Sequence, residues 1–152
     1  MPNDKGRARS SRLGARRASL PAFIIAALVT ACAAQPRDPV RLYTDDLAIG
    51  ISFDPQPPRA LDDVRFRVTV RDRETGQPIE NGQGRIFATN EDRHSIDNGL
   101  TPGAEVGTYY TTLRFVNAGP WAMGVQFRRD STQRLQRTND WMQDVLPDTS
   151  SP

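Results

Sequence analysis

One cysteine and one histidine in 152 residues exclude more chemistry than any motif in this chain suggests. With Cys32 alone no intramolecular disulfide can form, so the fold must stand on its hydrophobic core. A blue-copper centre needs two imidazoles and a thiolate beside a soft axial ligand, and a closed zinc site needs four ligands. Cys32 and His94 cannot furnish either set. No Ser-His-Asp arrangement stands out, and no nucleophile or oxyanion donor is identifiable beside the lone histidine, so the chain reads as non-enzymatic. Long apolar runs are missing too: residues 20–29 fall short of the roughly 20 residues that a membrane-spanning helix requires. Nor is there a basic footprint for nucleic acid. The formal net charge is +2, but residues 1–31 hold six of the 20 basic residues and one of the 18 acids, leaving 14 basic and 17 acidic residues from Cys32 onward. That mildly acidic remainder offers nothing for a polyphosphate, and nucleic acid is not expected as a partner.

What is present begins with a leader. Arg7, Arg9, Arg12, Arg16 and Arg17 precede the apolar run at residues 20–29, which gives way to small residues before Cys32. A basic region, a short apolar span and a small-residue exit are the parts of a secretory signal. Val29-Thr30-Ala31-Cys32 resembles the lipobox of bacterial lipoproteins. That resemblance implies cleavage after residue 31, lipidation of Cys32 and a domain held at a membrane by acyl chains, each buried methylene contributing about 0.8 kcal/mol. Ala33 stands where, in that family, an aspartate would retain the protein at the inner membrane, which leans the expectation toward the outer membrane and a periplasm-facing domain. Arg16-Arg17-Ala18-Ser19-Leu20 also resembles a twin-arginine export signal, with Ser19 departing from that motif. Residues 32–44 read as a linker, small, polar and proline-bearing.

From residue 45 to 130 the chain alternates. Leu47, Ile49, Ile51 and Phe53 share one side of a strand. Val64, Phe66, Val68 and Val70 share one side of the next, with Arg65, Arg67, Thr69 and Arg71 opposite, the clearest inside-outside rhythm in the sequence. Residues 107–127 read as two strands of one sheet joined by a tight turn at Asn117-Ala118-Gly119-Pro120. Gly76 supplies a positive φ to the polar turn at residues 72–78, and Asn81-Gly82-Gln83-Gly84 reads as a turn or bulge before a short strand rather than a phosphate cradle. Together these signals predict an all-β fold, an immunoglobulin-like antiparallel β-sandwich of about seven strands. Tyr109 is a candidate corner tyrosine, and Trp121 a core anchor. Residues 131–152 form a C-terminal extension expected to be weakly ordered, with a weak helix over residues 133–146 and a frayed end.

The strand and turn motifs carry a further resemblance. Asp54-Pro55, the D-x-x-T-G-x-P turn from Asp72 to Pro78, Gly107-Thr108-Tyr109 and Ala118-Gly119-Pro120-Trp121 resemble the YtkA-like domain family and the periplasmic part of FixH-type proteins. The resemblance covers roughly residues 45–130, with Gly107, Tyr109, Gly119, Pro120 and Trp121 as its structural signature. It implies an exported, membrane-anchored sandwich in a family often placed with copper handling or respiratory-oxidase assembly. Metal-handling relatives offer surface histidine and methionine, whereas the mature chain here has His94, Met123 and Met142.

One stretch, residues 90–105, shows no clear periodicity and holds His94 with Glu91, Asp92 and Asp97. Loops on rigid scaffolds carry binding residues disproportionately, and these four are weak metal-ligand candidates through oxygen and imidazole. Their spacing matches no calcium loop, and a solvated acidic loop is the competing reading. Two functions stand from different classes. One is a lipid-anchored, non-enzymatic envelope module that binds or helps assemble another envelope protein, with no cofactor. The other is a weak metal carrier, copper being the possible cargo.

Overall fold

Alternation in the sequence becomes two facing layers in the computed structural model, which describes residues 39–149. The expectations for the leader, for Cys32 and for residues 150–152 lie outside those residues. The strands are β1 (Val40–Tyr43), β2 (Leu47–Asp54), β3 (Asp63–Asp72), β4 (Gln83–Asn90), β5 (Ser95–Gly99), β6 (Thr101–Pro102), β7 (Thr108–Arg114), β8 (Gly119–Arg128), β9 (Gln136–Arg137) and β10 (Trp141–Val145). Seven of the ten have five residues or more, and no helix occurs among the described residues. Sheet I runs β1-β2-β3-β7-β6 and sheet II β10-β8-β4-β5, with β9 also on β8. Every named strand pair is antiparallel. The chain changes sheet between β3 and β4, between β5 and β6, and between β7 and β8, which is the Greek-key path of an immunoglobulin-like sandwich.

The core lies where the inward rows meet. Val64, Phe66, Val68 and Val70 from β3 face Trp121, Met123, Val125 and Phe127 from β8, and all eight are fully buried. Each such side chain contributes about 1.5–3 kcal/mol on burial. Tyr109 packs edge-on to Phe127 with ring centroids 5.1 Å apart, and Phe115 edge-on to Trp121 at 5.3 Å. The Tyr109 hydroxyl donates to the Ile79 carbonyl at 2.7 Å and accepts from the Gly82 N–H at 3.0 Å. Burial pushes that phenol's pKa up. Tyr109 thus ties β7 to the link between β3 and β4 by bonding backbone 27 and 30 residues upstream, not the few residues upstream that a corner tyrosine reaches.

Four expectations need correction. β7 and β8 do not share a sheet: the link at Asn117-Ala118-Gly119 arches over the core from sheet I to sheet II. Period-2 alternation reports which face of a strand is buried but not which strand lies beside it. Val40–Tyr43, expected as linker, is an edge strand whose Leu42 and Val40 pack against the core. Residues 90–105 are not an irregular loop, because β5 and β6 occupy much of them. The weak helix over residues 133–146 is instead β9 and β10, two pieces of one edge paired to β8. Between those pieces Thr138, which is buried, bonds the backbone of Val125 through both its main chain and its hydroxyl. A side chain thereby continues the ladder across a bulge.

Candidate functional site

The Asp72 turn and Gly107 meet at one end of the sandwich, while Asp54-Pro55 and the arch before Trp121 lie at the other. Asp72 ends β3 and its Oδ1 accepts from the N–H groups of Thr75 and Glu74 and from the Thr75 hydroxyl, at 2.7, 3.0 and 2.9 Å. Its Oδ2 holds Arg129 at 2.5 Å. Gly76 takes φ +73° between them. The Thr75 N–H, the Arg129 guanidinium and the Thr75 hydroxyl hold the Asp72 carboxyl far below the usual carboxylate range. The D-x-x-T-G-x-P signature is therefore an aspartate-capped turn.

A depressed carboxyl has a definite linkage sign: its stabilisation is present above the unfolded-state pKa of about 4 and is lost as pH falls through the folded value. Hydrogen bonds from Thr132 hold Asp130 low in the same direction. Stability measured by urea denaturation should therefore decline from pH 5 downward. Asp72→Asn should lower stability at pH 7 and flatten that decline. An unchanged acid limb in Asp72→Asn would remove Asp72 from the account.

The four weak metal-ligand candidates separate. His94 closes the hairpin between β4 and β5: its N–H donates to Asn90 Oδ1 at 2.9 Å, and its carbonyl accepts the Asn90 N–H at 3.1 Å. Asn90 Nδ2 donates to Asn117 Oδ1 at 2.9 Å, and Asn117 Nδ2 donates to Asp92 Oδ2 at 3.1 Å. This polar network ties the hairpin to the arch between β7 and β8. Glu91 is exposed in the same turn. Asp97 stands apart on β5, 3.3 Å from Arg85. Among the described residues no three His, Cys, Asp or Glu side chains stand close enough to hold a metal ion. Met123 is fully buried, while Met142 on β10 is 64% exposed.

The signature residues are structural in their contacts. Gly107 (φ +73°) lies against Pro78, and Gly119 (φ +117°) opens β8. Pro120 is exposed beside it, and Trp121 is fully buried with its Nε1 donating to the Asn117 carbonyl at 3.2 Å.

A surface missed by motif reasoning is the outer face of sheet II. There Gln83 and Arg85 of β4, Asp97 and Gly99 of β5, Gln126 and Arg128 of β8, and Leu135 beyond it border an open cavity of about 430 Å³. Its polar groups are already held in place. Arg85 Nε donates to Gln126 Oε1 at 2.8 Å, and Arg128 reaches Gln83 Oε1 through Nη2 at 2.6 Å and Nε at 3.1 Å. A Cβ on Gly99 would meet no atom within 4 Å, so the space above it is open. Leu135, 45% exposed, supplies an apolar end. Such a surface can hydrogen-bond a partner with little further ordering. The signal for it was present only as outward parity in β4 and β8, which composition alone does not distinguish from a solvated face.

No protein-family model matches this chain, and no curated protein sequence matches it. Two solved structures share its fold. One is FetP of uropathogenic Escherichia coli strain F11, as isolated after periplasmic expression, with TM-score 0.50 and 9% identity over 72% of this chain and 94% of that one. The other is a copper-bound variant of the same protein carrying a glutamate-to-glutamine substitution, with TM-score 0.50 and 9% identity over 76% of this chain and 94% of that one. At that identity the likeness establishes a shared β-sandwich architecture and nothing of the site.

Proposed function

We propose that this chain is a lipid-anchored, non-enzymatic module of the cell envelope, akin to YtkA-like and FixH-type domains, that binds another envelope protein through the outer face of sheet II. The preorganised groove around Gly99 carries this reading. Arg85 is held there by Gln126 and the Asp97 carboxylate, and Arg128 by Gln83 and the Ser131 carbonyl, which leaves the Arg85 Nη2 donors for a partner's carboxylates or carbonyls. The leader, the lipobox-like Val29-Thr30-Ala31-Cys32 and the periplasmic expression of the structural neighbour support an exported, periplasm-facing location.

A photo-crosslinking residue at Gln126 of the full chain should give one discrete adduct in envelope fractions. Gly99→Tyr should abolish it while leaving the melting temperature within a few degrees, because the new ring projects into open space. An adduct pattern indifferent to Gly99→Tyr, or no discrete adduct, would remove the groove as the binding surface.

Copper carriage is the second reading, favoured by the copper-bound form of the FetP variant. Against it, His94 Nδ1 lies 3.4 Å from Asn90 and Asp92 Oδ2 accepts from Asn117, and among the described residues no group of three His, Cys, Asp or Glu side chains is placed to complete a site. Titration of the full chain with copper or zinc should show no one-equivalent uptake at micromolar concentration, and His94→Ala should leave the titration unchanged. Stoichiometric uptake that His94→Ala eliminates would put the carrier reading first.

A further inference from the structure

Sheet I presents a different outer face, on which arginine gathers. Strand register places Arg41 of β1, Arg65, Arg67 and Arg71 of β3, and Arg114 of β7 on one side. Between β1 and β3, β2 contributes only Ala48, Gly50 and Ser52 to that side until Asp54 at its end, so the guanidinium groups stand on both flanks of a low strip. Three carboxylates share the face: Asp54 opposite Arg65 and Asp63 opposite Arg114, both at strand ends, and Glu105, which holds Arg67 at 2.6 Å. Five arginines thus face three carboxylates, while the rest of residues 39–149 holds eight arginines against thirteen carboxylates. A positive face on a negative body is a dipole, and in an anionic field it orients the domain. Tyr43 and Tyr110 lie on the same face, 52% and 43% exposed, amphipathic rings of the kind enriched at the headgroup level of membranes.

The tether leaves from the same sheet. β1 is its edge strand, and only residues 33–39 separate it from Cys32. Seven residues span about 25 Å at full extension. A lipid on Cys32 would therefore hold sheet I near the bilayer surface, where each basic side chain adds about 1 kcal/mol of attraction to anionic lipid. We propose that the outer face of sheet I docks on an anionic phospholipid surface, turning the groove of sheet II away from the membrane and toward its partner. This orientation rests on the anchoring described under Proposed function; the affinity of the face for anionic lipid does not.

The experiment keeps the two separable. The full chain, produced with its leader, is characterised by the mass of its mature N-terminus and then mixed with vesicles of pure phosphatidylcholine or with about 30% phosphatidylglycerol. Phenylglyoxal labelling of arginines is read by mass spectrometry. Arg41, Arg65, Arg71 and Arg114 should label several-fold more slowly on the anionic vesicles, with the protection gone at about 0.5 M salt. Arg93, in the turn between β4 and β5 and off this face, should label equally on both. A Cys32→Ser chain should still bind the anionic vesicles, and adding Arg41→Gln, Arg65→Gln and Arg114→Gln should weaken that binding about a hundredfold, near fivefold per arginine. The melting temperature of that multiple variant serves as its folding control. Equal labelling on the two vesicle types overturns the proposal. So does protection on both that survives salt, which would mark a contact between protein copies. An unacylated N-terminus with the labelling contrast intact would sink the anchor and leave the lipid-binding face standing.

Discussion

Replacing Trp121 with alanine should lower the unfolding free energy by about 3–5 kcal/mol, a large share of what holds a domain of this size folded. The indole is fully buried at the start of β8. It meets Phe115 edge-on at 5.3 Å where the chain arches from sheet I to sheet II. Its Nε1 donates to the Asn117 carbonyl at 3.2 Å, and Asn117 also receives Asn90 of the hairpin between β4 and β5. Loss of the ring therefore leaves a cavity in the core and frees the arch that closes it. Urea denaturation should show a lower midpoint with the slope preserved, as expected when stability changes and the denatured state does not. Trp121→Phe should cost less, because a smaller ring still meets Phe115 and the loss is confined to part of the packing and the N–H bond, the latter worth about 1 kcal/mol. If Trp121→Ala and Trp121→Phe destabilise equally, the hydrogen bond and not the packing is what the residue supplies. If neither destabilises by more than about 1 kcal/mol, the core does not depend on this residue as its burial demands.

The arch shows where sequence reasoning reached and where it stopped. Leu47, Ile49 and Ile51, the four inward residues of β3, and those of β8 are all buried as their parity required, because a strand with one face in the core writes that face into every second residue. Phe53 is the partial exception, only half-buried at the end of β2. Pairing was not legible. The two strands on either side of Gly119 alternate alike whether they lie in one sheet or face each other across a core. Edge strands were nearly invisible for a related reason. β5 turns only Ile96 inward, and β10 offers Trp141 and Val145 with Gln143 between them, too little contrast to distinguish from a loop or a weak helix. The candidate site suffered most. His94, Asp92 and Asp97 drew attention by residue type, yet His94 and Asp97 meet Asn90 and Arg85 within a β4–β5 hairpin that was read as a loop, and Asp92 meets Asn117 only once the sandwich closes. The turn motifs fared better, since Asp72, Thr75 and Gly76 contact one another locally and local chemistry is what a short motif records.

Gly107 separates local chemistry from tertiary fit, and Gly76 is its internal control. Both have φ +73°, a backbone setting that costs an alanine about 1–2 kcal/mol. At Gly76 a Cβ would meet nothing within 4 Å, whereas at Gly107 it would stand 2.6 Å from the Pro78 Cβ and 2.9 Å from the Val70 carbonyl oxygen. The second contact is with backbone already in use: Val70 donates its N–H to the Gly107 carbonyl at 2.8 Å, and its carbonyl accepts from Ile79. Neither side can yield without disturbing the link that also carries the Tyr109 hydroxyl bonds. Overpacking of that kind adds about 1–3 kcal/mol. Gly76→Ala should therefore cost about 1–2 kcal/mol and Gly107→Ala about 2–5 kcal/mol, read as parallel shifts in urea midpoint. The excess at Gly107 measures how tightly the start of β7 is seated on the turn after β3. Equal losses at the two glycines would mean that the seating is loose and that the G-x-Y motif encodes a backbone angle alone. A larger loss at Gly76 would reverse the assignment, making the turn itself and not its docking the part that the sandwich needs.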